Sequence, residues 1–91
     1  MSEKRWRIEF SPQAKETLSK LRDKKLVARI EKVISALEIN PRPMGSIKLS
    51  GEEDVYRLRI SDWRVIYSVE DDILLVLILE IGQRKDIYRR R

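Results

Sequence analysis

From Arg5 to Phe10 apolar and polar positions alternate, with Trp6, Ile8 and Phe10 on one face and Arg5, Arg7 and Glu9 on the other. A period of two predicts a half-buried strand. The period changes at Ser11-Pro12. Serine can accept an orphan backbone N–H and proline has none to lose, so the pair reads as the cap and first residue of a helix. Ala14, Leu18 and Leu21 follow at i, i+4 and i+7. The charged stretch from Arg22 to Lys25 interrupts that stripe without glycine or proline, which predicts a tight turn. Leu26, Val27, Ile30, Val33, Ile34 and Leu37 then line a second helix, with Arg29, Glu31, Lys32 and Glu38 towards water. Asn40-Pro41-Arg42-Pro43-Met44-Gly45 ends it.

After Lys48-Leu49-Ser50-Gly51 and the acidic turn Glu52-Glu53-Asp54, period two returns in Tyr56-Arg57-Leu58-Arg59-Ile60 and Trp63-Arg64-Val65-Ile66-Tyr67. The two runs flank Ser61-Asp62 and predict a β-hairpin. A two-residue loop pairs Ile60 with Trp63 and places Arg59 opposite Arg64. Parity then gathers Tyr56, Leu58, Ile60, Trp63, Val65 and Tyr67 on the apolar face, and Arg57, Arg59 and Arg64 on the other. Like charges directly across a strand pair destabilise it by roughly 0.2–1 kcal/mol. Two readings of this patch stay open on periodicity alone. The arginines fan into water, or their planar forks meet a polyanion such as phosphate. By the same parity, Trp6, Trp63, Tyr56 and Tyr67 belong with the aliphatic core.

Glu70-Asp71-Asp72 marks the next turn, and Ile73 to Ile81 is apolar except for Glu80, as in a central strand buried on both faces. Alternation would put Leu74, Val76 and Ile78 beside Ile66 as an apolar floor under the arginines. Gly82-Gln83-Arg84-Lys85-Asp86 leaves the sheet, and Ile87-Tyr88-Arg89-Arg90-Arg91 forms a basic tail. The expected architecture is α+β in the order β-α-α-β-β-β, with two N-terminal antiparallel helices on a mostly antiparallel four-stranded sheet. The 91 residues make a single domain.

Composition narrows the chemistry. The chain is 38% charged with a net charge of +5, and its isoelectric point is near 9.7, which favours a polyanionic partner. It contains no histidine and no cysteine, which excludes disulfides, thiol catalysis, Cys/His zinc sites and histidine acid–base chemistry. The polar, charged start predicts no secretory leader, and the longest apolar run cannot span a bilayer, so a cytoplasmic protein with no membrane association is expected. Gln13, Asn40 and Gln83 are the only amide side chains among many Lys, Arg and Glu, a weak thermophilic signal.

The order of these elements resembles the RelE/ParE superfamily of bacterial and archaeal toxins, the RelE branch especially. The resemblance is carried by Leu49-Ser50-Gly51, Tyr56-Arg57-Leu58-Arg59, Trp63-Arg64-Val65-Ile66-Tyr67 and Gly82-Gln83-Arg84-Lys85-Asp86-Ile87-Tyr88, and it spans nearly the whole chain. It implies a toxin of a type II toxin–antitoxin pair that cleaves mRNA in the ribosomal A site and is silenced by a RelB-like antitoxin. The family's functional positions fall on Arg57 and Arg59 (usually lysines), Arg64, Arg84 and Tyr88. Arginine clamps phosphate but is a poor acid or base, so a proton-transfer role given to a lysine there does not carry over.

The resemblance thus gives Arg59, Arg64, Arg84 and Tyr88 as catalytic candidates. Arg57, Lys48 and the tail Arg89, Arg90 and Arg91 are candidate RNA contacts. Cleavage by the RNA's own 2′-hydroxyl needs positive groups where charge develops and alignment of the attacking oxygen, without metal or cofactor. Tyr88 would align or deprotonate that hydroxyl, or stack on a base. The chain stops three residues after Tyr88, without the C-terminal helix some members carry. The floor at Ile66, Leu74, Val76 and Ile78 is therefore expected to receive an antitoxin segment whose acidic residues meet the arginines. Partners are then the antitoxin and mRNA with ribosomal RNA, and oligomers form only through the antitoxin complex. The alternatives are a non-catalytic ParE-like toxin acting on DNA gyrase and a degenerate member that binds only RNA or antitoxin.

Overall fold

Ser11 starts the first helix as its sequence predicts, and does more. Its Oγ accepts from the Ala14 amide (3.1 Å) and donates to the Leu79 carbonyl (2.7 Å), tying the helix start to a strand 68 residues away. The computed structural model describes residues 4–51 and 53–83. The elements are β1 (Arg7–Phe10), α1 (Pro12–Lys20), α2 (Lys24–Ala36), β2 (Ile47–Lys48), β3 (Val55–Ile60), β4 (Trp63–Glu70), a 3-10 turn (Asp71–Ile73) and β5 (Leu75–Gln83). The tight turn between the helices owes its sharpness to Asp23, whose carboxylate caps α2 by accepting from the Leu26 amide at 3.1 Å.

The sheet runs β1-β5-β4-β3-β2, with β1 parallel to β5 and the other pairs antiparallel. Among the described residues it has five strands, one more than expected. Ile47–Lys48 pairs with Arg57 and Tyr56, and two residues are too short to show any period in the sequence. The α+β class and the two helices on the sheet are as expected.

One core lies between helices and sheet. Ala14, Ile30, Ile34 and Leu37 pack with Leu58, Ile60, Val65, Tyr67, Val69, Val76, Ile78 and Ile81. Trp6, Trp63 and Tyr56 pack at its margin, as the parity argument requires. Each fully buried Leu, Ile or Val contributes roughly 1.5–3 kcal/mol. Val55 and Ile66 form a second small cluster with Leu49 and Leu79 on the opposite face of the sheet.

The last strand departs from the expected pattern in three ways. Ile73 is in the 3-10 turn and 57% exposed, and Leu74 takes a left-handed conformation (φ 50) before β5 begins. Val76 and Ile78 are fully buried on the helix side, not on the arginine side. The register with β4 slips between Ile66 and Tyr67, because Tyr67 pairs with Ile78 but Ile66 pairs with Glu80. Leu79 is the extra residue, so parity inverts there and Ile81 joins Ile78 in the helix-side core. Leu74, Val76 and Ile78 therefore provide no floor under the arginines. Ile66 does lie on that side, with 1% of its surface exposed.

Candidate nucleic-acid interface

The hairpin register is the predicted one. Ile60 pairs with Trp63, and Arg59 stands directly across from Arg64. Ser61, first of the two loop residues, takes positive φ (58), as tight hairpin loops require. Two rows of positions cross the open face of the sheet. Arg59, Arg64 and Gly82 form one; Ile47, Arg57, Ile66 and Glu80 form the next. The bulge at Leu79 is what turns Glu80 to this side. A carboxylate thus stands one row from Arg64, in a place the unbroken alternation of the sequence concealed.

The three arginines differ in their surroundings. Arg59 is exposed, and its Nε donates to the Ser61 carbonyl at 3.3 Å. Arg57 is half-buried. Arg64 is only 3% exposed, and its Nη1 lies 3.4 Å from the Trp63 carbonyl. Periodicity put all three on one face without distinguishing them, whereas the strand order places Arg64 on β4, between β3 and β5. Arg59 projects into solvent, and Arg64 lies beneath the surface.

Lys48 is not in this group. It pairs with Tyr56, whose side chain faces the helices, and Ile47 is the residue opposite Arg57. Lys48, Leu49, Ser50, Gly51 and Glu53 instead line an open concavity of about 470 Å³ at the sheet edge. Gly51 sits there at φ 80, a conformation that favours glycine. Arg84, Tyr88, Arg89, Arg90 and Arg91 lie outside the described residues.

Two supports were missed in the sequence. Gln13 grips β5 just before Gly82, its amide donating to the Ile81 carbonyl (3.3 Å) and accepting from the Ile81 amide (3.2 Å). Arg42, in the loop after α2, stacks over Tyr56 at 5.3 Å and donates to its hydroxyl at 2.8 Å. Its two terminal nitrogens donate to Asp71 at 3.1 and 2.7 Å. This contact holds the Asp71 carboxyl below its usual range and raises the guanidinium pKa further. Beside it the Tyr67 hydroxyl donates to the Pro41 carbonyl at 2.8 Å, and burial pushes that phenol up to about 12. Arg42 and Asp71 are 29 residues apart, and no local signal links them.

Residues 8–88 match the family of ParE toxins of type II toxin–antitoxin systems, parDE. The chain belongs to the RelE/ParE toxin superfamily. A RelE-like toxin protein of Escherichia coli is 32% identical over 88 residues, covering 92% of this chain and 90% of that one. Toxin RelG of Mycobacterium tuberculosis is 29% identical over 83 residues, covering 91% and 95%. Among solved structures, the archaeal RelE–RelB complex of Pyrococcus horikoshii OT3 superposes with a TM-score of 0.77 at 33% identity, covering 87% of this chain and 94% of that one. The isolated E. coli RelE toxin gives 0.76 at 24% identity, covering 93% of each, a likeness of fold. Among the described residues this RelE-like toxin thus has two helices on a mixed five-stranded sheet, with its hairpin arginines on the face opposite the helices.

Proposed function

We propose that this RelE-like toxin is a metal-independent endoribonuclease that cuts mRNA in the ribosomal A site. The observation carrying the reading is the row Arg59–Arg64–Gly82, two guanidinium-bearing positions paired across the hairpin on the face opposite the helices, a few residues before Arg84 in the sequence. In the proposed reaction the 2′-oxygen attacks phosphorus and the P–O5′ bond breaks. The products are a 2′,3′-cyclic phosphate and a 5′-hydroxyl. Negative charge develops on the phosphoryl oxygens, where Arg59, Arg64 and Arg84 stabilise it. Arginine keeps its proton, so it supplies charge and orientation only. Tyr88 is left to align the 2′-hydroxyl or take its proton, and the 5′-oxygen takes one from water as it leaves. Arg57 contacts the flanking phosphate, and Arg89, Arg90 and Arg91 add non-specific attraction.

The partner in this reading is a RelB-like antitoxin, supported by the P. horikoshii toxin, solved as a RelE–RelB complex. The half-buried apolar positions on the arginine side are Leu49, Leu77 and Leu79, and these replace the expected floor as its docking strip. Acidic antitoxin residues would neutralise the arginines while the segment covers the site.

The matching family is described as ParE, which favours a second reading, a non-catalytic toxin acting on DNA gyrase. Purified toxin added to programmed ribosomes separates the two. The proposal expects one cut within the A-site codon, slowed about 10²–10³-fold by Arg59→Ala. Intact mRNA, with inhibition of gyrase supercoiling instead, would overturn it.

A further inference from the structure

The bulge in β5 is anchored from outside the sheet. Ser11 Oγ donates to the Leu79 carbonyl at 2.7 Å, and the Gln13 side chain binds both the Ile81 carbonyl (3.3 Å) and the Ile81 amide (3.2 Å). Glu80 is the residue between these two anchored neighbours. Without the slip, Glu80 would share the parity of Val76 and Ile78, which are fully buried on the helix side. An isolated carboxylate there would be costly. The bulge instead stands it on the arginine face, paired with Ile66 in the row next to Arg59–Arg64–Gly82. Bulges beside active sites re-aim a side chain in this way.

The position it takes is inside the patch. Arg64 pairs directly with Gly82, which has no side chain, and Glu80 is two residues before Gly82 on the same face. Arg64 and Glu80 are therefore diagonal neighbours, about 7–8 Å apart at Cα, within reach of two long side chains. A group seated over Gly82 has a guanidinium-bearing position across the strand pair and a carboxylate-bearing one along the strand. Among the described strand residues this face carries two other carboxylates. Glu9 lies on β1 in the row of Leu77, with its Oε2 2.9 Å from Arg7 Nε. Glu70 closes the far end of β4, six residues and about 20 Å from Arg64.

We infer that Glu80 is the general base of the cleavage, taking the proton of the attacking 2′-hydroxyl. The inference rests on the endoribonuclease reading and gives it a proton acceptor that the arginines cannot be. Arginine holds its proton and the chain has no histidine, so the arginine patch orients and neutralises without accepting a proton. An ionised carboxylate accepts one. Its charge is repelled by phosphoryl oxygens, which leaves those to the arginines and the hydroxyl to Glu80. As the O2′–P bond forms, the proton passes to the Glu80 carboxylate. The P–O5′ bond breaks, and the 5′-oxygen takes a proton from water. The hydroxide so formed removes the proton from Glu80 and restores it. Tyr88 is then needed for alignment alone.

The test compares Glu80→Gln and Glu80→Ala with Glu70→Gln, which removes a carboxylate of the same face outside the patch. Single-turnover cleavage is measured on saturating programmed ribosomes. Both Glu80 variants should cleave about 10²–10⁴-fold more slowly than the parent, with parental ribosome affinity. Glu70→Gln should match the parent. Added formate or acetate should restore part of the Glu80→Ala rate, acetate more than formate because it is the stronger base. Chloride at equal ionic strength should restore none. Parental cleavage by Glu80→Gln would overturn the inference and leave the endoribonuclease reading standing. So would rescue of Glu80→Ala by chloride as effective as by acetate, which would make Glu80 a counter-ion of the arginines. Intact mRNA with the parent toxin would overturn both.

Discussion

A strand arginine with 3% of its surface exposed fills space as well as carrying charge, so its removal disturbs packing and electrostatics together. Arg64 and Arg59 stand opposite each other in the hairpin, yet they should respond differently to truncation. Arg64→Ala should cost about 1–3 kcal/mol of stability, and Arg59→Ala under about 0.5 kcal/mol. Both should slow cleavage. Urea denaturation of the two variants checks this, and equal stability would mean that burial of Arg64 has no energetic weight. Tyr67 offers a second test at this scale. Its phenol is favoured neutral in the fold, with a pKa near 12 against 10 when unfolded, so its contribution is complete below pH 10 and is lost as pH rises through 12. The shift corresponds to ~2–3 kcal/mol. Asp71 has the opposite sign. Its depressed pKa stabilises above the ordinary carboxylate value of 3.8 and the benefit is lost as pH falls below it. A melting-temperature profile should therefore drop at both extremes, with Tyr67→Phe flattening the alkaline limb and Asp71→Asn the acid one. An alkaline limb unaltered by Tyr67→Phe would contradict the assignment.

Among the elements, β5 depends on α1 in a way that reaches the site. Ser11 and Gln13 satisfy the backbone around the bulge at Leu79, and the strand then runs through Gly82, the partner of Arg64. Gln13→Leu keeps the bulk and removes both bonds, so it should cost about 1–3 kcal/mol. It should also accelerate exchange of the Ile81 amide and lower the cleavage rate. A variant with parental exchange at Ile81 would show that the amide grip does not hold β5. The bulge also marks where sequence reading failed. The hairpin was legible because its polar and apolar residues alternate, and a two-residue loop fixes parity. Ile73 to Ile81 has leucine or isoleucine on both sides of the chain, so nothing in it revealed the slip that inverts Leu79 to Ile81. Ile47–Lys48 was invisible because two residues have no period, and their pairing is set by the edge of β3. Asp23 was a readable signal, since a carboxylate three residues before the first apolar position of a helix is a common cap.

At the scale of the whole molecule, the helices cover one face of the sheet, and among the described residues the other face carries arginines with a leucine border. In the proposed function, the arginine face is the place for both substrate and inhibitor. Methyl resonances of Leu49, Leu77 and Leu79 should shift when a RelB-like antitoxin is added, while those of Val76 and Ile78 stay nearly unmoved. Shifts confined to α1 and α2 would contradict inhibition at this face. The central claim is that the arginine face cuts mRNA on the ribosome, and mapping the 5′ ends of cellular mRNA after brief induction tests it most directly. The account predicts new 5′-hydroxyl ends within codons in the ribosomal A site, in frame along coding regions and lost with Arg59→Ala. Growth arrest with no new mRNA ends and an induced DNA-damage response would contradict it.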